Sequence, residues 1–138
     1  MLDDPIDLAV PVGHHLTTRS EVTLRDAASE SWITCRPESA YHRLTLAACQ
    51  AAGFRPTVAH YADEWDTGTA LVAHGFGIFM LPRLAPVHPG TDVVRLRLSG
   101  TAAPVRRIVA VTRAGAAAQP VIVHALTSIT KVAESISG

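Results

Sequence analysis

The sequence predicts an α/β fold, a mostly parallel sheet flanked by helices, and three observations carry that prediction. Apolar runs with strand character alternate with segments of helical periodicity along most of the chain. Ile78-Phe79-Met80-Leu81 is apolar without interruption, the mark of a strand covered on both faces. Glycine and proline fall between these segments, where turns and helix ends need them. With 138 residues, 48% of them hydrophobic and 17% charged, the chain can bury a core of its own.

The first strand is read from Ile6, Leu8 and Val10 alternating with Asp7 and Ala9, and it stops at Pro11 and Gly13. A brief helical turn follows near residues 23–28, with Thr23 as cap and Asp26 three residues on as its capping-box partner. Trp32-Ile33-Thr34-Cys35 reads as a short strand, and Arg36-Pro37-Glu38-Ser39 as the loop after it. Leu44, Ala47, Ala48, Ala51 and Ala52 give an amphipathic helix, stopped by Gly53, with Phe54 packing back after the cap. Val58 to Tyr61 is the next strand.

The segment YADEWDTGTALVAHGFGIFMLPRL, residues 61–84, then forms a strand-helix-strand unit. Asp66 or Thr67 is the expected helix cap, Gly75 the stop, and Pro82 the end of strand pairing. Such a unit places loop 62–67 at the C-terminal end of a strand and the N-terminus of a helix, where ligands bind in open α/β sheets. Val94, Leu96 and Leu98 alternate with Arg95 and Arg97, a strand with one wet face. Residues 105–112 are a further strand. Pro120 opens a last helix, with an apolar face running from Val121 through Leu126, Ile129 and Val132 to Ile136.

Several function classes are disfavoured. Lys and Arg together number 12, as do Asp and Glu, so the basic footprint of a nucleic-acid-binding domain is missing. No run reaches the ~18 apolar residues of a membrane span. The N-terminal stretch carries two acids where a secretory signal carries bases, so a cytoplasmic protein is expected. Cys35 and Cys49 form no CxxC pair, and Cys49 reads as a buried reduced thiol. The seven histidines show no metal-binding spacing, and adjacent His14 and His15 should point apart on an extended chain, so no metal site is expected. Gly75 and Gly77 lack the third glycine of a dinucleotide fingerprint and follow a helix, which makes them helix-stop chemistry and leaves no cofactor implied. No catalytic constellation stands out, so an enzyme ranks last.

Two loops offer ligand chemistry. In the first, Asp63, Glu64 and Asp66 suit a cationic or hydroxylated group, Trp65 offers a flat face, and Thr67 a hydroxyl. The plainer reading has the acids complementing the helix dipole and Trp65 plugging the core. In the second, Arg36 suits a carboxylate and Ser39 presents a hydroxyl at a helix start, with Glu38 between them. The plainer reading there is a solvated arginine and an ordinary helix cap.

Four stretches, in order, resemble the effector-binding domain of LysR-type transcriptional regulators. DLAVPVGHHLTT is similar to the family's crossover strand and "HPL" turn, with His15 in place of the proline. VTLRDAASESWIT resembles its short helix and "W-I" strand. LTLAACQAAGFRPTV resembles the helix ending in "G-F-x-P". TALVAHGFGIFMLPRLA, the most specific, resembles the "LVAAGLGVALLP" signature. The resemblance implies a lobe of the periplasmic-binding-protein type II kind. Residues 13–104 would form the second-lobe core, with 1–12 and 105–138 as crossover strands and C-terminal helix. On that pattern most of the first lobe and the helix-turn-helix are not encoded, so the 138 residues look like a fragment or a short gene product. The strand-end positions of loop 62–67 would line an interlobe cleft, and Thr112, at the end of the returning crossover, is a third candidate.

The function implied is sensing of a small-molecule effector, with transcription regulated through a ligand-dependent conformational change. DNA would be met only through a helix-turn-helix domain. A homodimer is expected, with exchange of the terminal segment as one form of it, because the apolar face of helix 120–136 has lost its family partner. The alternative on the same scaffold is a fragment of a periplasmic-type solute-binding protein serving transport.

Overall fold

A computed structural model describes residues 2–137; residues 1 and 138, the ends of the expected fragment, lie outside the described residues. The chain divides into two compact units, residues 5–104 and residues 1–4 with 105–138.

The larger unit is built on a mixed sheet. Its strands are β1 (Leu2–Pro11, of which the part from Pro5 on belongs to this unit), β3 (Ser31–Thr34), β4 (Thr57–Tyr61), β5 (Ile78–Pro82) and β6 (Val93–Leu96), in the order β4-β3-β5-β1-β6. β3 lies parallel to both β4 and β5, while β1 is antiparallel to β5 and β6. A second, two-stranded sheet pairs β2 (Val22–Thr23) in parallel with β7 (Leu98–Ser99). The sheet is therefore α/β and mixed, with its parallel half carrying the helical connections α1 (Ala40–Ala51) and α2 (Trp65–Ala73).

Alternation along the central strands builds a core on each face. Ile6, Leu8 and Val10 of β1, Trp32 of β3 and Ile78 and Met80 of β5 meet on one side, packed by Leu44 and Ala48 of α1. Ala9, Ile33, Phe79 and Leu81 point the other way, against Val72 and Leu71 of α2. The unbroken apolar run of β5 thus has its expected cause. Both helices end in Schellman turns: Gly53 and Gly75 have φ of +87° and +77°, and Phe54 and Phe76 donate to Cys49 O and Leu71 O, each at 3.0 Å. Gly77 is needed for a different reason, since a Cβ there would lie 2.7 Å from the backbone oxygen of Ser31.

The structure corrects several expectations. β1 is a central strand, and Asp7, the charged residue in its alternation, is fully buried and takes two bonds from Arg83, at 2.7 and 3.2 Å. Arg95, expected on a wet face, is turned inward, its guanidinium donating to the carbonyls of Pro82 and Ala85 at 2.9 and 2.6 Å. The strand expected through Leu98 divides at Arg97. Beyond Leu96 the next place along β1 is taken, since the Ile6 N–H donates to Pro104 O at 3.0 Å, and the chain turns to pair with β2 instead. In α1 the buried residues are His42, Thr45 and Cys49, whereas Ala47 and Ala51 are exposed. Alanine carries too little apolar surface to fix a helix face, and His42 and Thr45 have their polar atoms satisfied.

In the smaller unit, β8 (Val105–Ile108) pairs with β1, and α3 spans Pro120–Ser137. The strand expected to reach Thr112 stops at Ile108. Its ion pairs, Arg106 with Asp4 at 2.7 Å and Arg107 with Asp3 at 3.1 Å, step back toward Leu2, where β1 begins. Residues after Ile108 therefore have no strand to pair with among the described residues. No helix among them is long and apolar enough to cross a membrane.

Candidate functional site

Parallel β3 and β4 end side by side, and each opens into a loop that feeds a helix N-terminus, the arrangement that makes strand ends a binding edge in α/β sheets. The Ala62 N–H donates to Thr34 O at 2.8 Å and holds the two exits together. Asp63 then joins the loops. Its Oδ1 accepts from the Arg36 backbone N–H at 3.0 Å, and its Oδ2 lies 2.5 Å from Arg36 Nε. The ion pair is solvent-exposed, so it adds no more than about 1 kcal/mol. Its importance is geometric: one carboxylate fixes both the backbone and the side chain of the facing loop.

Ser39 is the cap of α1, its Oγ accepting from the His42 N–H at 3.0 Å. Its own N–H donates to Arg36 O at 2.9 Å, which closes loop 36–39 into a turn. Glu38 is exposed, and its carbonyl accepts from Arg43 at 3.0 Å. The cap of α2 differs from expectation. Glu64 holds that position without a side-chain bond, and the helix begins at Trp65. The Gly68 N–H already reaches Glu64 O at 3.0 Å, so the first turn closes before Asp66 or Thr67 can cap it. Asp66 instead lies exposed in the first turn, 3.1 Å from the His88 ring, and Thr67 is exposed beside it. Trp65 is half-buried, edge-on to Tyr41 at 4.8 Å and 5.9 Å from Phe79. Its ring serves the core more than the surface. Thr112 belongs to the smaller unit, in the segment between β8 and α3.

Beneath the two loops lies a polar group that sequence reasoning missed. The Thr34 hydroxyl donates to Cys35 O at 2.9 Å, and His42 Nδ1 lies 2.9 Å from the same oxygen and 3.0 Å from Thr34 Oγ. A carbonyl only accepts, so Nδ1 carries a proton and donates it to Cys35 O. The available signal was the Ser39 cap, which places residue 42 in the first turn of α1. Burial pushes the Cys35 thiol up, the charges of Asp63 and then Glu64 push it further, and a hydrogen bond with Ser39 works the other way. Burial alone pushes Cys49 up to about 12. Both cysteines are buried and free, which makes them packing groups rather than nucleophiles.

The edge therefore presents four carboxylates (Glu38, Asp63, Glu64 and Asp66), the hydroxyls of Ser39 and Thr67, and one guanidinium whose Nε side is already engaged. Elsewhere, the expectation that His14 and His15 point apart is corrected. They lie at a tight turn, and both Nε2 atoms reach Glu30, at 3.2 and 2.6 Å.

A mixed sheet whose parallel strands end in loops that feed helix N-termini, with helices on both faces, defines a lobe of the α/β class. The model of the LysR substrate binding domain matches residues 1–133, and the chain belongs to that family. The regulator CatR of Pseudomonas putida is 29% identical over 138 residues, covering 97% of this chain and 46% of its own length. AlsR of Bacillus subtilis is 32% identical over 83 residues, 59% of this chain and 28% of its own length. The chain thus spans less than half the length of these curated relatives, which are transcriptional regulators and not enzymes. Among solved structures, the C-terminal domain of a probable LysR family regulator from Rhodococcus sp. RHA1 superposes with a TM-score of 0.65 at 22% identity, over 75% of this chain and 52% of that one. The effector-binding domain of QuiR in complex with shikimate gives 0.64 at 20% identity, over 71% and 46%. At such identities the superpositions show the fold.

Proposed function

We propose that this chain senses a small-molecule effector on behalf of a cytoplasmic LysR-type transcriptional regulator, with loops 36–39 and 63–67 as its contact edge. The observation that carries the reading is the Asp63 bridge to Arg36, which joins the two strand-end loops into one unit. Ser39, Glu38, Glu64, Asp66 and Thr67 supply hydroxyl and carboxylate partners around it, with Trp65 as an apolar border. The acid excess favours a hydroxylated or cationic effector, and QuiR, solved with the polyhydroxylated acid shikimate, supports a small polar molecule. Binding would favour one conformational state and so alter how attached DNA-binding domains sit on an operator. We further propose that the chain meets its own kind as a homodimer and touches DNA only through a separate helix-turn-helix domain.

The test is an NMR titration of the ¹⁵N-labelled chain with polyhydroxylated acids, polyols and amines. Saturable shifts should centre on residues 36–39, 42 and 63–67, with weak affinity, and Asp63→Asn should reduce them. Shifts that centre elsewhere, or none at millimolar ligand across the panel, would refute the assignment.

A further inference from the structure

The geometry points to a divalent transition-metal site formed by His14, His15 and Glu30, away from the effector edge. One candidate ligand atom from each residue lies within 4.8 Å of the others. His14 Nε2 is 3.2 Å from Glu30 Oε2, and His15 Nε2 is 2.6 Å from Glu30 Oε1. An ion bonded at ~2.0–2.1 Å to nitrogen and oxygen holds tetrahedral ligands roughly 3.3–3.5 Å apart. The three groups are thus near ligating separations, and small rotations of exposed His15 and of the Glu30 carboxylate admit the ion. Two imidazoles and a carboxylate suit zinc, nickel or copper, and a water would complete the shell.

Both sides of the cluster are held by the core. Gly13, at φ +80°, turns the chain into the 3-10 turn His15–Thr18, whose Leu16 is fully buried. Glu30 sits two residues before fully buried Trp32, at the start of β3, and its N–H donates to Ala27 O at 3.2 Å. The ligands are therefore brought together by backbone fixed for other reasons, which spares the ion the cost of assembling them. Charge argues the same way. The side chain of Glu30 is only 20% exposed, and among the described residues its carboxylate meets two imidazoles and no Arg or Lys. A dication supplies the missing positive charge. Glu30 and Arg36 stand at opposite ends of β3, six residues or ~20 Å of extended chain apart, so this site and the effector edge are separate.

Binding has a chemical signature. In the metal-free protein His14 Nδ1 accepts a long bond, 3.3 Å, from the Leu16 N–H, which leaves the neutral ring's proton on Nε2. Ligation through Nε2 needs that lone pair, so the proton moves through solvent to Nδ1 and the Leu16 bond is given up. His14 therefore switches tautomer when the metal binds.

The experiment is calorimetry of Zn²⁺ against the untagged 138-residue chain near neutral pH, with ¹⁵N NMR of the histidine rings. One equivalent should bind saturably, the His14 tautomer should switch, and only the His14 and His15 ring signals should move. His15→Ala, an exposed change that leaves Leu16 in place, and Glu30→Gln should each weaken binding roughly tenfold or more. His88→Ala and His124→Ala should leave it unchanged. Absence of saturable binding, or binding indifferent to His15→Ala and Glu30→Gln in chains whose circular dichroism matches the parent, would overturn the assignment.

Discussion

Asp7 shows how much one side chain can carry in this fold. Its carboxylate is buried in a central strand, takes two bonds from Arg83 and lies 3.6 Å from Arg95. Removing Arg83 would leave the buried Asp7 carboxylate with only the longer Arg95 contact, which costs several kcal/mol because that charge stays desolvated. Arg83→Ala should therefore lower unfolding free energy by about 3 kcal/mol, read from urea midpoints. Asp3→Ala removes an exposed pair with Arg107 and should stay within about 0.5 kcal/mol; equal effects would show that the Asp7 pair is no more than a surface contact. Asp26 makes a pH prediction. The Thr23 backbone N–H and then the Thr23 hydroxyl, both at 2.8 Å, hold its carboxyl below the usual range, and Arg19 adds to them. A pKa lowered on folding means that the unfolded chain binds the proton more readily. The stabilisation is then fully present above the unfolded value, ~3.9, and is lost as pH falls through the folded one. Asp26→Asn should flatten the loss of stability between neutral and acid pH, and an unchanged pH profile would contradict the capping geometry.

At the scale of elements, α2 and β5 set the tightest constraint. Gly68 lies inside α2, where alanine would ordinarily stabilise by about 1 kcal/mol. Here a Cβ would lie 2.3 Å from Phe79 Cε1, and Phe79 is buried. Overpacking of this kind costs about 1–3 kcal/mol, so Gly68→Ala should destabilise despite its better helix propensity. A rise in melting temperature would mean that the Phe79 ring can move aside. The same region shows what was legible in the sequence. The apolar run of β5, the Schellman glycines of α1 and α2 and the Thr23–Asp26 pair each have a local cause, and each was readable. Asp7 was not, because a strand with one alternating charge looks the same whether an arginine 76 positions away covers it or water does. The α2 cap was misplaced by two or three residues because Glu64, Asp66 and Thr67 all lie in one short stretch rich in capping side chains. His42 and the convergence of His14 and His15 on Glu30 were hidden for a related reason. The first depends on where a helix begins, and the second on a turn that brings together residues 15 and 16 positions apart.

At the scale of the molecule, the two units differ in how they treat apolar surface. In the larger unit the big apolar side chains of β1, β3 and β5 lie within the two cores. In the smaller unit α3 leaves Val121 70%, Ile129 58%, Val132 58% and Ile136 49% exposed. A cavity of about 530 Å³ there is lined by apolar side chains, among them Leu2, Ile108, Leu126, Val132 and Ile136. Full burial of one such side chain contributes roughly 1.5–3 kcal/mol, so covering four whose exposure runs from 49% to 70% is worth several kcal/mol. Two copies facing each other through α3 would recover it on both sides of one symmetric contact. Light scattering at high concentration should then give the mass of a dimer. Ile129→Asp together with Val132→Asp should convert it to a monomer while the circular dichroism of the larger unit's strands and helices persists, because no residue of α3 belongs to either core cluster. A parent chain that stays monomeric, or a dimer that survives both aspartates, would place the contact elsewhere.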